Sequence, residues 1–335
     1  MRDITEERKL LMTLPPHLST GETIHCLMFD VVIASVPIIL ASFYYFGPRA
    51  LWVIFLSSFA AVLTEVIIQV GRIKPLTLKN FVYKVVTDER VTVFDGSALV
   101  TGILLGFNLP PGVPFWIPIV GSVIAITFGK HFFGGLGNNI FNPALFARAF
   151  LMVAWPHHMT SWVLPIDWSK LLTQPFTPWS YDAVSTATPL SVAKIKTVEY
   201  PIVDLFLGKV GGCIGETSAL AILIGALYLL YKGTITWHIP IPFLFTVGLV
   251  AWILGKNPLF HLFSGGLFLG AFFMATDIVT SPVTRLGRIL FGIGCGLLTI
   301  LIRIYGSYPE GVCFSILIMN ACTPLIDRYT LRRRL

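Results

Sequence analysis

The run from Ile24 to Phe46 contains one acidic side chain, Asp30, and no lysine or arginine. After a single glycine a second run follows, from about residue 48 to 70, with Arg49 at its start and Glu65 inside it. About 20 apolar residues cross the hydrocarbon of a bilayer as a helix. Two such runs in succession place the chain in lipid, where backbone amides must bond internally and a helix is the available solution. Composition agrees: 12% of the residues are charged and 55% hydrophobic, against about 25% charged in a soluble domain.

Ten apolar segments are predicted, at roughly 24–46, 48–70, 95–109, 113–131, 139–155, 211–231, 236–254, 260–277, 286–305 and 311–327. The segments 95–109 and 260–277 are short, glycine-rich and close on turns, Asn108–Gly112 and Asp277–Pro282. They read as broken or half-depth helices. The predicted fold is an all-α polytopic membrane protein with about ten transmembrane helices. The first 23 residues are polar and of mixed charge, without the apolar core of a cleavable signal.

Lysine and arginine set the orientation. With the N-terminus inside, sixteen of them fall on cytoplasmic flanks, Lys130 and Arg332–Arg334 included, and six on outer flanks. Both termini are expected in the cytoplasm and the loop 156–210 outside, as in a bacterial inner-membrane protein. The net charge of +7 is accounted for by these flanks, so no nucleic-acid partner is called for. The terminal arginines suit an anchor or a contact with anionic lipid.

The halves echo one another. Gly102 and Gly270, in the two short segments, stand 168 residues apart, and Asn142–Arg148 resembles Cys322–Arg328. Five segments per half would put the halves in opposite orientation, two inverted five-helix repeats in a urea-transporter-like arrangement, with a ligand site at the broken helices. The expected organisation is a cytoplasmic segment 1–23, a first repeat 24–155, an outer loop 156–210, a second repeat 211–328 and a basic tail 329–335.

The five cysteines are scattered without metal or disulfide spacing. The histidines His17, His25, His131, His157, His158, His238 and His261 gather at segment ends and read as interfacial. No metal site is expected.

Within the outer loop, Tyr181–Ser191 is a hydroxyl-rich turn whose Ser185, Thr186 and Thr188 could cap a helix starting at Pro189. By sequence, Asp182-x-x-Ser185-x-Ala187-Thr188 resembles the flavinylation motif of the Rnf/Nqr family of ion-pumping redox complexes. Phe133–Ala144, Trp237–Pro240, Leu262–Gly266, Gly270–Phe273 and Tyr308–Gly311 resemble the membrane D subunits of Rnf complexes, and more loosely the B subunit of sodium-pumping NADH:quinone reductase. The resemblance runs from about residue 15 to 330. It implies FMN joined by a phosphoester to the Thr188 hydroxyl, with Asp182, Ser185 and Ala187 as the surrounding motif and the loop open to a modifying transferase. Thr186 departs from the small residue often found there and stands as a nearby decoy acceptor.

The resemblance further implies a noncovalent riboflavin in the membrane core, for which Asn108 and Asn142 are candidate contacts. It implies electron transfer between ferredoxin and NAD⁺ coupled to translocation of Na⁺ or H⁺. This chain has no nicotinamide fingerprint and no iron–sulfur cysteine set. It would therefore be an electron-carrying subunit of a translocase, incomplete alone. Its expected partners are membrane-embedded and cytoplasmic subunits that hold iron–sulfur clusters, NAD and a second FMN. The competing reading is a solute channel of the same architecture with no redox cofactor.

Ionisable groups inside apolar segments are functional suspects because lipid burial is costly. Asp277, Glu65, Asp30 and Glu216 are the candidates for an ion pathway. Arg148 and Arg303 are expected to neutralise acids across the bundle.

Overall fold

The computed structural model describes residues 23–72, 95–166, 188–190, 201–306 and 311–331, and the described residues are helical with no extended strand. The chain enters α1 (Ile24–Phe46) through Thr23, whose hydroxyl accepts from the Cys26 amide at 3.4 Å. α1 spans about 35 Å at about 1.5 Å per residue, enough to cross a bilayer. Gly47 separates it from α2 (Pro48–Arg72). α3 (Ser97–Phe107) has 11 residues, about 16 Å, and reaches half that depth.

α4 (Trp116–Ile124) runs on as a π-helical stretch, Ala125–His131, and a glycine turn leads into α5 (Pro143–Ala154). Beyond the short turns Pro156–Met159 and Ile202–Leu207 come α6 (Ala219–Lys232) and α7 (Pro240–Ile253). α8 (Pro258–Phe263) stops at Ser264, and α9 (Leu267–Leu269) continues as a π stretch, Gly270–Met274. α10 (Arg285–Tyr305) and α11 (Val312–Thr330) complete the described helices.

Among the described residues, four helical stretches are long and apolar enough to cross a membrane: Ile24–Phe46, Pro48–Gln69, Trp116–Phe133 and Arg285–Tyr305; α3, α5, α6 and α7 are shorter apolar helices. The chain is thus an all-helical, polytopic membrane protein. The apolar segment 260–277 is two helical pieces with a break at Ser264–Gly266, and 211–231 yields a helix only from Ala219, where the Ser218 hydroxyl accepts from the Ala221 amide. The break before α9 agrees with the broken helix expected over 260–277, whereas apolar composition does not register the turn before α6.

Side-chain size is sorted as lipid requires. The bulky residues Phe29, Ile33, Leu40 and Phe43 of α1 and Trp52, Phe55 and Phe59 of α2 face outward, while Ala34, Ser35, Ser42, Ala50, Ser57 and Ala61 face inward. Lipid tails are as apolar as leucine, so helices associate through close packing of small residues. At Gly102 of α3 a Cβ would collide with the Ser58 backbone of α2, and at Gly225 of α6 it would collide with the Ala34 carbonyl of α1. Ser57 stitches the first contact by donating to the Gly102 carbonyl at 2.8 Å.

The halves keep step in the structure. The residues that precede α4 and α10, Phe115 and Thr284, are 169 positions apart, as are Asn142 and Gly311 before α5 and α11. α5 and α11 meet where the Cys313 thiol donates to the Leu145 carbonyl, 168 positions away.

Candidate functional site

The two broken helices and the start of α5 converge on one cavity of about 90 Å³. Ser97 and Thr101 of α3, Lys130 at the end of the π stretch, Asn142 before α5, and Phe272 and Asp277 around the end of α9 line it. Its walls also include apolar residues of α1 and α6, such as Val31 and Leu229. Mostly apolar walls with a few placed polar groups are the pattern of ligand pockets, although the space is smaller than the roughly 300–1,000 Å³ such pockets commonly measure. Lys130 and Asp277 are the two ionisable residues on this wall.

Lys130 departs from expectation. The sequence places it with the loop charges, yet its side chain is 3% exposed and donates to Glu65 Oε1 at 2.6 Å and to Ser97 Oγ at 2.7 Å. Gln69 donates to the same carboxylate oxygen at 2.8 Å, and His131 Nε2 lies 3.9 Å from it. His131, expected at the interface, is buried as well. The π stretch brings both residues inward: Phe132 N–H reaches back five residues to the Thr127 carbonyl at 2.9 Å, and the wider turn re-aims the side chains at its end. One signal was available in the sequence, because Lys130 lies within its apolar segment and not beyond it.

The turn after the π stretch places Gly134, Gly135 and Gly137 at φ 114, 103 and 92°, a region that side chains other than glycine rarely adopt. The chain can therefore double back at once to Asn142, whose Oδ1 accepts from the Ala144 and Leu145 amides at 3.1 and 3.3 Å. Asn142 Nδ2 donates at 3.2 Å to the Met274 carbonyl at the end of α9, which also accepts from the Asp277 amide at 3.4 Å. Asn108, at the end of α3, donates to the Leu104 carbonyl at 2.6 Å and to the Met274 sulfur at 3.5 Å, while its Oδ1 accepts from Arg148. Of the two asparagines expected to touch a ring, Asn142 is on the cavity wall and Asn108 is engaged behind it.

Arg148 also contacts Cys213 Sγ at 3.5 Å, and Arg303 donates to the His261 and Ser264 carbonyls at the break before α9. Hydrogen bonds thus bring these two arginines to an amide oxygen, a sulfur and helix-end carbonyls. Breaks in helices leave such carbonyls without intrahelical partners, and a buried guanidinium with several donors answers that need.

The remaining acids are dispersed. Asp30 joins α1 to α6, accepting from Tyr228 Oη at 2.9 Å and Thr234 Oγ1 at 3.5 Å. Glu216 is buried; its Oε1 accepts from the Cys213 amide at 2.8 Å, and its Oε2 lies against Gly266, 2.7 Å from where a Cβ would stand. Asp277 caps the turn after α9, accepting from the Val279 amide at 3.5 Å and Thr280 Oγ1 at 3.1 Å. Asp277 alone among the four lines the cavity; Glu65 reaches it through Lys130.

Thr188 lies apart from the cavity, with Leu190 packed at the Gly265 turn beside Arg303. It is 4% exposed, so the hydroxyl expected to stand open is buried against the protein. Asp182, Ser185, Thr186 and Ala187 lie outside the described residues, as do the terminal arginines.

Comparison with known proteins matches this chain, over residues 11–335, to the model of the NQR2, RnfD, RnfE family. It is 46% identical over 332 residues to the D subunit of the Na(+)-translocating ferredoxin:NAD(+) oxidoreductase complex of Acetobacterium woodii, covering 98% of this chain and 95% of that one. It is 43% identical over 332 residues to the D subunit of the proton-translocating ferredoxin:NAD(+) oxidoreductase complex of Clostridium ljungdahlii, with 94% and 92% covered. The D subunit of the ion-translocating oxidoreductase complex of Yersinia enterocolitica is 35% identical over 347 residues, with 94% and 95% covered. The shared length takes in α1 to α11 and both broken helices, and the chain belongs to the NQR2, RnfD, RnfE family.

Proposed function

We propose that this chain is the flavin-carrying membrane subunit of an ion-translocating ferredoxin:NAD⁺ oxidoreductase. The observation that carries the reading is near-full-length identity of 46% and 43% to two D subunits named for that activity. The motif Asp182-x-x-Ser185-x-Ala187-Thr188 supports FMN esterified to Thr188, as the resemblance implies. A flavin passes one or two electrons, and the protein supplies its position and electrostatics.

The resemblance also implies a second, noncovalent flavin, riboflavin, and the cavity is the candidate place for it. Phe272 and Phe273 offer apolar wall there, and Ser97, Lys130, Asn142 and Asp277 offer polar contacts, while the space of about 90 Å³ would have to widen to admit a three-ring system. In this reading the chain's own groups bind and orient the ring, and the apolar flanks exclude water. Asp277 is the acid placed to answer a cation drawn toward a reduced ring.

The architecture we infer is ten spans in two inverted five-helix repeats, supported by the common spacing of α4 to α10 and α5 to α11. Both termini then face the cytoplasm of a bacterial inner membrane, and the loop 156–210 faces outward. Partner subunits supply the nicotinamide site and the iron–sulfur clusters, for which this chain has no motif.

The test is in-gel fluorescence of the denatured full chain expressed with the flavin-transferring enzyme. Thr188→Val abolishes the fluorescence and Thr186→Val leaves it. Fluorescence that survives the first substitution refutes the attachment.

A further inference from the structure

We propose that Arg303 and Ser264, at the break between α8 and α9, form the seat for the phosphoester of a flavin carried on Thr188. The inference rests on the reading that Thr188 bears FMN. Leu190 Cδ1 and Arg303 Nη2 converge on one point, 2.9 and 3.4 Å from where a Cβ of Gly265 would stand. Thr188 is two residues before Leu190, so their Cα atoms are at most about 7 Å apart. Both residues are 4% exposed, so this stretch is docked against the bundle at the break.

An ester at Thr188 places a phosphodiester, with one negative charge on its two free oxygens, at a side chain shut off from water. A buried anion is costly unless donors meet it, and the turn brings two kinds. Arg303 is 2% exposed and donates to the His261 and Ser264 carbonyls at 2.5 and 3.0 Å, which fixes its charge at the turn. Ser264 is 1% exposed, and its hydroxyl has no hydrogen-bond partner among the described residues. A buried hydroxyl in that position calls for an acceptor, and a phosphate oxygen is one. Gly265, at φ 66°, keeps the space between Leu190 and Arg303 free of a side chain. Glu216 brings a negative charge to the same turn, its Oε2 lying 2.7 Å from where a Cβ of Gly266 would stand. The hold on a phosphate therefore comes from placed donors more than from net charge. Arg303 also has a structural duty, because it answers carbonyls that the break leaves without intrahelical partners. The Ser264 hydroxyl has no such duty, and this separates the two roles.

The experiment compares thermal midpoints of the full chain in detergent with and without covalent FMN, from expression with and without the flavin-transferring enzyme. In-gel fluorescence gives the flavin content of each sample. The difference between the two midpoints is the flavin increment. In Ser264→Ala the flavin-free midpoint stays within about a degree of the parent's, since the hydroxyl gives up no bond. Its flavin increment falls by about 3–6 °C, the effect of one hydrogen bond to a charged group in a chain of this size. Arg303→Lys keeps the charge and loses the planar fork. It lowers the flavin-free midpoint because the helix-end carbonyls lose donors, and it lowers the flavin increment as well.

A reduced increment in both variants supports the proposal, since a purely structural role moves the two forms of the chain equally. Ser264→Ala decides alone if Arg303→Lys does not fold. An unchanged increment in either folded variant overturns the proposal and leaves the attachment to Thr188 intact. A folded variant that accepts no FMN assigns its residue to the attachment step and likewise overturns a seat for the finished ester. A parent chain without covalent flavin, or one whose flavin survives Thr188→Val, refutes the attachment and this inference with it.

Discussion

Lys130→Met strands the Glu65 carboxylate in a fully buried position. At 2.6 Å and an effective dielectric of about 20, the gross attraction in the pair is about 6 kcal/mol. Desolvation of the two ions takes back several kcal/mol each, so the intact pair contributes little net stability. Removing one partner is different, because the carboxylate keeps its desolvation cost and loses its cation. Breaking a buried pair this way costs about 3–5 kcal/mol. At about 2 °C per kcal/mol for a chain of this size, the unfolding midpoint should fall by about 6–10 °C. Adding Glu65→Gln should restore most of the loss. The molecule supplies its own reporters: Cys213, Cys295 and Cys313 are buried cysteines outside any disulfide, which react with a fluorogenic maleimide only on unfolding. Exposed Cys26 and half-buried Cys322 are first changed to Ser to remove their background. A single variant that melts within a degree or two of the parent, or a double variant no better than the single one, refutes the reasoning.

Single cysteines in place of Lys170 and Lys196, in a cysteine-free background, should react with an impermeant maleimide in intact cells; labelling that needs broken cells inverts the orientation. Asp277→Asn should lower coupled ion uptake in vesicles with the assembled complex by at least about tenfold, about 1.4 kcal/mol, while covalent flavin content stays normal; a wild-type rate reduces Asp277 to a turn cap. Gly225→Val should lower the thermal midpoint of the full chain by several degrees because a branched side chain would meet the Ala34 carbonyl of α1; an unchanged midpoint denies the close approach.

Hydropathy makes the helices legible because lipid leaves the chain no other way to satisfy its backbone. α1 and α2 begin where composition turns apolar, and the half-depth of α3 is readable from its length and the Asn108–Gly112 turn. The glycine-rich segment 260–277 is legible as broken in the same way, although glycine is common in membrane helices and does not by itself fix the break at Ser264–Gly266. Lys130 shows the deeper difficulty. A lysine near the end of an apolar run is what an anchor looks like, and its partner Glu65 lies 65 positions earlier. A one-dimensional pattern could not show that a π stretch turns the side chain inward. Arg148 and Arg303 were legible as costly charges, but the carbonyl, amide and sulfur atoms they reach are acceptors that sequence does not present as partners. The Thr188 motif was readable, whereas its burial beside Gly265 depends on how the chain returns to the bundle.

Met274 ties the two halves together mechanically. Its carbonyl holds Asn142 and its sulfur holds Asn108, so the end of one broken helix is fastened to residues of the other half, and the Cys313 contact with Leu145 adds a second fastening nearby. A carrier that rocks one half against the other would have to undo these contacts on every cycle, in surroundings without water to replace them. The crossing therefore acts as a weld and not as a pivot. Electron transfer between fixed cofactors, as proposed for this chain, needs no such stroke. A frame welded at its centre would keep the proposed donor and acceptor at constant separation and leave movement to side chains, loops and the ions themselves.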